Sequence, residues 1–180
     1  DVYKRQLSML AQNVMTPEKI KKPVIAAIQG YCFGVGFEFS LACDFRIVTE
    51  DSQLSLPEMK IGMIPGSGGS ARLAKMIGIS RTKNIIMRGK RLSGEEAYQL
   101  GIACELVEKS KLENMTQKIV STIKSKGGGG RGLYQHVEGD FPEAALSGYN
   151  KRLCLPSATS GFVDPKEQSI DTLQIDADKF

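Results

Sequence analysis

The 180-residue chain has one histidine and no tryptophan. Its four cysteines, Cys32, Cys43, Cys104 and Cys154, form no C-x-x-C pair. A zinc site therefore lacks ligands at useful spacing. A chain this long and this poor in cysteine is also no disulfide framework, so free thiols in a reducing, cytoplasmic compartment are expected. There is no apolar stretch of membrane-spanning length and no secretory-leader pattern. A net charge of +4, with its lysines dispersed and no basic run among aromatics, argues against nucleic acid. No Gly-Lys-Ser/Thr follows the glycines at 66–69, which excludes a P-loop, and Ser67 and Ser70 stand in no G-x-S-x-G elbow. His136 has no nucleophile motif beside it and is expected to be structural or on the surface. The chain opens on Asp1, and a fragment or a processed product is expected.

What remains is an ordinary globular mixture, 41% hydrophobic and 24% charged, long enough for one substantial core. Leu7, Leu10, Val14 and Met15 recur at helical spacing before Lys22-Pro23 breaks the pattern. Val24–Ile28 is a continuous apolar run, as in strands buried on both faces. Phe37–Cys43 is apolar nearly all round and predicts a short buried helix. Strands are expected at 45–48, 53–56 and 104–107, and helices at 70–77, 82–87 and 111–123. Ser93-Gly-Glu-Glu96 is a capping box that opens another helix. Four glycines at 127–130 mark a joint, since no regular element tolerates them well. Strands alternating with helices predict an α/β core over 7–126, a glycine-rich joint over 127–142 and a helical segment over 143–180.

The informative stretch runs from Gly34 to Gly69. Gly34-Val35-Gly36 follows a strand and precedes a helix, so free amides at the helix start face outward with partial positive charge. Such a site holds an anion, or an oxygen that becomes one during reaction. Alone, a G-x-G is more often just a tight turn. Glu38 is the one carboxylate of an apolar helix, and burial of a carboxyl is how it becomes an acid or base near neutral pH. The plainer alternative is a carboxylate held by a nearby arginine such as Arg46. Glu58 lies 20 positions on, also in apolar company, at the end of a predicted strand. Two glutamates beside an anion site suit a pair in which one carboxyl moves a proton at carbon and the other handles water.

These residues resemble the enoyl-CoA hydratase/isomerase (crotonase) family. The resemblance runs through Gly30-Tyr-Cys-Phe-Gly-Val-Gly-Phe-Glu38, Ala42-Cys-Asp44, Leu56-Pro-Glu58-Met-Lys-Ile-Gly62, Ile64-Pro-Gly-Ser-Gly-Gly-Ser-Ala-Arg-Leu73 and Gly89-Lys-Arg-Leu-Ser-Gly-Glu-Glu-Ala97. It implies a crotonase-like spiral of repeated β-β-α units with C-terminal helices, lacking the N-terminal part of the domain. By resemblance, Gly34 and Val35 form one side of a thioester oxyanion hole, with the Val35 N–H as a donor. Glu38 activates water, Glu58 exchanges the proton at the α-carbon, and the Gly66 amide helps to place the water. The implied reaction is hydration of a 2-enoyl-CoA to a 3-hydroxyacyl-CoA, with no metal and no cofactor beyond the coenzyme A of the substrate. An acyl-CoA isomerase, a cyclic acyl-CoA C–C hydrolase, or a non-catalytic subunit are the alternatives, and a homotrimer or hexamer is the implied assembly. The second oxyanion donor would lie upstream of Leu7, where no residues match. Loss of one such donor costs roughly 2.7–4 kcal/mol in a transition state, so the chain alone is expected to be nearly inactive.

Overall fold

The computed structural model describes residues 9–20, 22–126 and 171–176. It divides into two units, Asp1–Thr116 with Asp171–Phe180, and Gln117–Ile170. The glycine joint, His136, Cys154 and the helix expected from Glu143 lie outside the described residues.

Helix α1 is described over residues 9–14 and is followed at once by the short α2, Thr16–Lys19, which has Pro17 at its start. A proline is tolerated there because a first-turn amide has no partner within the helix in any case. Strand β1, Val24–Gln29, then enters the middle of a four-stranded parallel sheet ordered β6-β3-β1-β7. Its partners are β3, Phe45–Thr49, in register Ile25 with Phe45, and β7, Asp171–Asp176, in register Val24 with Asp171. Strand β6, Glu105–Val107, flanks β3. The apolar run of β1 has the burial that its sequence predicts. Val24, Ala26 and Ile28 join the main core, while Ile25 and Ala27, on the opposite face, are equally inaccessible.

A second, three-stranded sheet joins β2, Tyr31–Phe33, in parallel to β4, Gln53–Ser55, and β4 antiparallel to β5, Leu92–Ser93. Helix α3, Val35–Ala42, leaves β2 through Gly34 and buries Phe37, Leu41 and Ala42. Helices α4, Gly69–Ile77, and α5, Ile79–Met87, meet at Gly78, whose φ of +82° only glycine adopts readily. Helix α6, Gly94–Gln99, starts with the expected capping box: the Ser93 hydroxyl accepts from the Glu96 amide at 3.1 Å, and the Glu96 carboxylate accepts from the Ser93 amide at 3.0 Å. Helix α7 runs Leu112–Ser125.

Two differences from the sequence reading are physical. Strand β2 is not among the strands expected from the sequence, because three residues between Gly30 and Gly34 carry too short a pattern; its ladder to β4 is what makes it a strand. Residues 171–176 lie in the segment expected to be helical, yet they form β7 along β1. The alternation Thr-Leu-Gln-Ile is a period-two pattern, and the backbone groups on that side of β1 supply the partner.

Cys32, Cys43 and Cys104 are free thiols. Burial pushes both Cys32 and Cys43 up to about 12, which leaves them protonated and unreactive at neutral pH. Among the described residues, no helix is long and apolar enough to cross a membrane.

Candidate active site

The site begins at Gly34, which has φ +55° and ψ −124° and turns the chain from β2 into α3. The turn is pinned by the Gly34 amide donating to the Ser55 carbonyl of β4 at 2.9 Å. Val35 is the first residue of α3, so helix geometry gives its N–H no intrahelical acceptor. The Val35 side chain is half exposed, and a Val here is harmless because the main chain carries the polarity.

One turn later, Glu38 is 2% exposed, among the most buried polar groups of the protein. It is not held by Arg46, the plainer sequence alternative. The Arg46 guanidinium instead donates to the carbonyls of Ile102 at 2.6 Å, Cys43 at 2.5 Å, Ser40 at 3.0 Å and Asp44 at 3.3 Å. Closeness in sequence misled here. The direction of the β3 side chain sends Arg46 toward the start of β6. Glu38 is held by the second glycine turn. The backbone amides of Ser67 and Gly69 both donate to its Oε1, at 2.9 and 3.0 Å. No described residue donates to Oε2, so one oxygen is fixed and the other is left to act. Gly69 must be glycine for this: a Cβ there would stand 2.6 Å from Glu38 Cγ and 2.9 Å from Oε1. Gly68, with φ +91°, turns the chain between the two donors. Gly66, whose amide the resemblance assigns to placing the water, is exposed and lies one residue before the first of the two amides that hold Glu38. Ser67 and Gly69 were missed in the sequence. Only the pattern Gly-Ser-Gly-Gly pointed to a turn, and nothing local says which amides converge.

Glu58 opens a single 3-10 turn, Glu58–Ile61, where a strand end was expected. Pro57 ends β4 geometrically, and Gly62, with φ +71°, closes the turn. Glu58 Oε1 lies 3.3 Å from the position that a Cβ on Gly34 would take, so the carboxyl group rests against the glycine that opens α3. Its Oε2 is buried with no partner among the described residues. Desolvation raises the Glu58 carboxyl above its ordinary value; a backbone hydrogen bond opposes this, and the negative charge of Glu38 raises it further. The structure thus brings Gly34, Val35, Glu38 and Glu58 together, with two glycine turns as the frame. It provides a free helix-start amide, a buried carboxylate anchored by one oxygen, and a second carboxyl biased toward its neutral form.

That bias has a consequence for stability. A carboxyl whose pKa is higher in the folded state binds more protons folded than unfolded between the two values. Its stabilising effect is complete below the unfolded value near 4.5 and is lost as pH rises through the raised folded value. Glu58→Gln removes the penalty of ionisation. Thermal unfolding across the acid-to-neutral range is expected to show the variant melting above the unsubstituted chain at neutral pH and converging with it in acid. A variant that melts lower at neutral pH contradicts this account of Glu58.

Comparison with known proteins identifies the family of the chain. The enoyl-CoA hydratase/isomerase family model matches residues 2–129, and the chain belongs to that family. Carnitinyl-CoA dehydratase of Salmonella paratyphi A is 40% identical over 104 residues, which cover 58% of this chain and 40% of that protein. The crystal structure of enoyl-CoA hydratase from Bacillus anthracis superposes with a TM-score of 0.79 at 33% identity, covering 87% of this chain and 62% of that one. Pseudomonas aeruginosa DspI superposes with a TM-score of 0.79 at 22% identity, covering 92% and 63%, a likeness of fold alone. The α/β fold is therefore the crotonase fold, and the matched stretch spans about two fifths of the length of the curated relative.

Proposed function

We propose that the site hydrates a 2-enoyl-CoA thioester to a 3-hydroxyacyl-CoA. The observation that carries this is the unequal treatment of two neighbouring carboxyls. Glu38 is fixed through one oxygen by two amides, and Glu58 is biased toward its protonated form beside the turn that carries the Val35 amide.

In this reading the Val35 N–H stabilises the thioester oxygen as it takes up charge. Water held by the free Oε2 of Glu38 adds its oxygen to C3 while its proton passes to Glu38. The electron pair of the double bond moves into the enolate, and the enolate collapses by taking the Glu58 proton at C2. One water has been added, Glu38 is protonated and Glu58 is ionised; exchange with solvent restores both. Carboxylates that differ in environment divide the acid and base roles between them in this way. Dehydration is the same step reversed, which is why similarity to a carnitinyl-CoA dehydratase and to an enoyl-CoA hydratase supports one chemistry. The substrate carries its own coenzyme A, so no further cofactor enters the step.

A second oxyanion donor, a cytoplasmic setting and a trimeric or hexameric assembly belong to the same proposal, from family resemblance. The test is the loss of the conjugated enoyl-thioester absorbance on incubation with 2-enoyl-CoA substrates of several chain lengths. The chain is assayed alone and joined to an upstream segment carrying the second amide. Hydration by the extended protein, with the chain alone slower by roughly 100–1,000-fold, is the expected result. Failure of the extended protein on every chain length overturns the proposal.

A further inference from the structure

The amides that hold Glu38 are themselves held from the far side, and the holding group is an ion pair that the reaction does not use. Arg72, on α4, reaches back over the first turn of its own helix. Its Nη1 donates to the carbonyl of Ser67 at 2.6 Å. Its Nε and Nη2 donate to the two carboxylate oxygens of Glu18, on α2, at 2.6 and 2.7 Å. The two partners are 54 residues apart in sequence. The pair is two-pronged, the arrangement in which arginine fixes orientation as well as charge. The Glu18 hydrogen bonds raise the Arg72 guanidinium further above its already high value.

The position of that carbonyl gives the pair its significance. Helix α4 begins at Gly69, and its first ladder bond is the Arg72 amide to the Gly68 carbonyl at 3.0 Å. The Ser67 carbonyl lies outside the ladder, and Arg72 satisfies it. This carbonyl belongs to the peptide plane between Ser67 and Gly68. The planes on either side carry the Ser67 and Gly69 amides, and both of those converge on Glu38 Oε1. Gly68 joins the planes at φ +91° and has no side chain to limit its rotation, so an outside hold on the middle plane sets the aim of its neighbours. The guanidinium also lies close against Gly68: a Cβ there would stand 2.6 Å from Arg72 Nη1.

We propose that Glu18 and Arg72 form a clamp that positions Glu38 for water activation by fixing the turn at residues 67–69. Arg72 is a positioning residue and touches no substrate; Glu18 orients Arg72. The Arg72 side chain is largely enclosed and Glu18 is half exposed, so the pair is only partly open to solvent. With side chains 11% and 37% exposed, the pair lies outside the hydrophobic core, so it can be weakened without opening that core. The inference rests on the reading of Glu38 as the water-activating group, and its test separates the two.

The experiment compares the full chain with Arg72→Gln, Arg72→Lys and Glu18→Gln by amide hydrogen exchange in assigned nitrogen–proton spectra. Hydration kinetics are run in parallel on the extended protein. For Arg72→Gln, exchange at the Ser67 and Gly69 amides is expected to rise at least about tenfold, while protection in β1 and β3 is unchanged. In the kinetics, kcat falls by about tenfold or more and KM for the enoyl-CoA stays close to that of the unsubstituted protein. Arg72→Lys keeps the charge and one donor and is expected to lie between. Glu18→Gln follows it, and as a change at a half-exposed side chain it carries the test if Arg72→Gln does not fold. Unchanged exchange at Ser67 and Gly69 in all three variants overturns the clamp, as does loosened exchange with kcat intact. If the unsubstituted extended protein hydrates nothing, the proposed reaction fails. The amides then still decide whether the clamp holds Glu38.

Discussion

Replacing either Glu38 or Glu58 by glutamine is expected to lower enoyl-CoA hydration in the extended protein by at least about 100-fold, the usual scale for one positioned acid or base. The two losses have different origins. Glu38→Gln keeps the size of the side chain and an oxygen that can still accept from the Ser67 and Gly69 amides, so the fold should survive. What disappears is a basic oxygen for the proton of water. Glu58→Gln removes the proton donor at C2. It also removes a carboxyl that the fold prefers neutral, so this variant should lose activity while gaining stability at neutral pH. The check is kcat by thioester absorbance together with a melting curve for each protein. Full activity in either variant removes that residue from the mechanism.

The second large effect is structural. Gly94, the first residue of α6, is packed so closely on β3 that a Cβ would overlap the carbonyl group of Thr49. The neighbour is backbone at the end of a central strand, not the tip of a flexible side chain. The Gly94 amide is meanwhile committed to the Ser52 carbonyl at 2.9 Å. Gly94→Ala must therefore push α6 off the sheet. Overpacking of this kind costs about 1–3 kcal/mol and occasionally more. For a domain of this size, about 2 kcal/mol corresponds to a drop in melting temperature of roughly 5 °C. Gly36→Ala is the control: Gly36 lies within α3 with nothing within 4 Å of a Cβ, and alanine favours helix there. Equal melting temperatures for the two alanine variants would contradict the packing described for Gly94.

How much of this was legible in the sequence follows from the range of each interaction. The capping box at Ser93 and the buried run of β1 are local patterns, and both stand in the structure as read. Glu38 announced itself because a lone carboxylate in an apolar helix has to be accounted for. Its partners did not, since Ser67 and Gly69 lie 29 and 31 residues away and contribute only backbone. Nearness in sequence suggested Arg46, and tertiary direction took Arg46 elsewhere. Gly66 stands out in the sequence as an amide for placing water, and the two amides that hold Glu38 itself come one and three positions later. The setting of Glu58 in a 3-10 turn was hidden because Pro57 ends a strand and starts a turn equally well. Strand β7 was hidden because six residues carry too short a pattern to outweigh a helical expectation for the whole segment. In each case the residue type was readable and the contact was not.

We propose that this site adds water across an enoyl thioester through an enolate, and isotopes report on both bonds formed. The extended protein is incubated with a 2-enoyl-CoA in deuterated, oxygen-18-labelled water, and the product is weighed by mass spectrometry and located by carbon–proton spectroscopy. A 3-hydroxyacyl-CoA with one labelled oxygen at C3 and one carbon-bound deuterium at C2 is the predicted product. An isomerised enoyl-CoA without labelled oxygen, or a hydroxyacyl product with no deuterium at C2, would contradict the account.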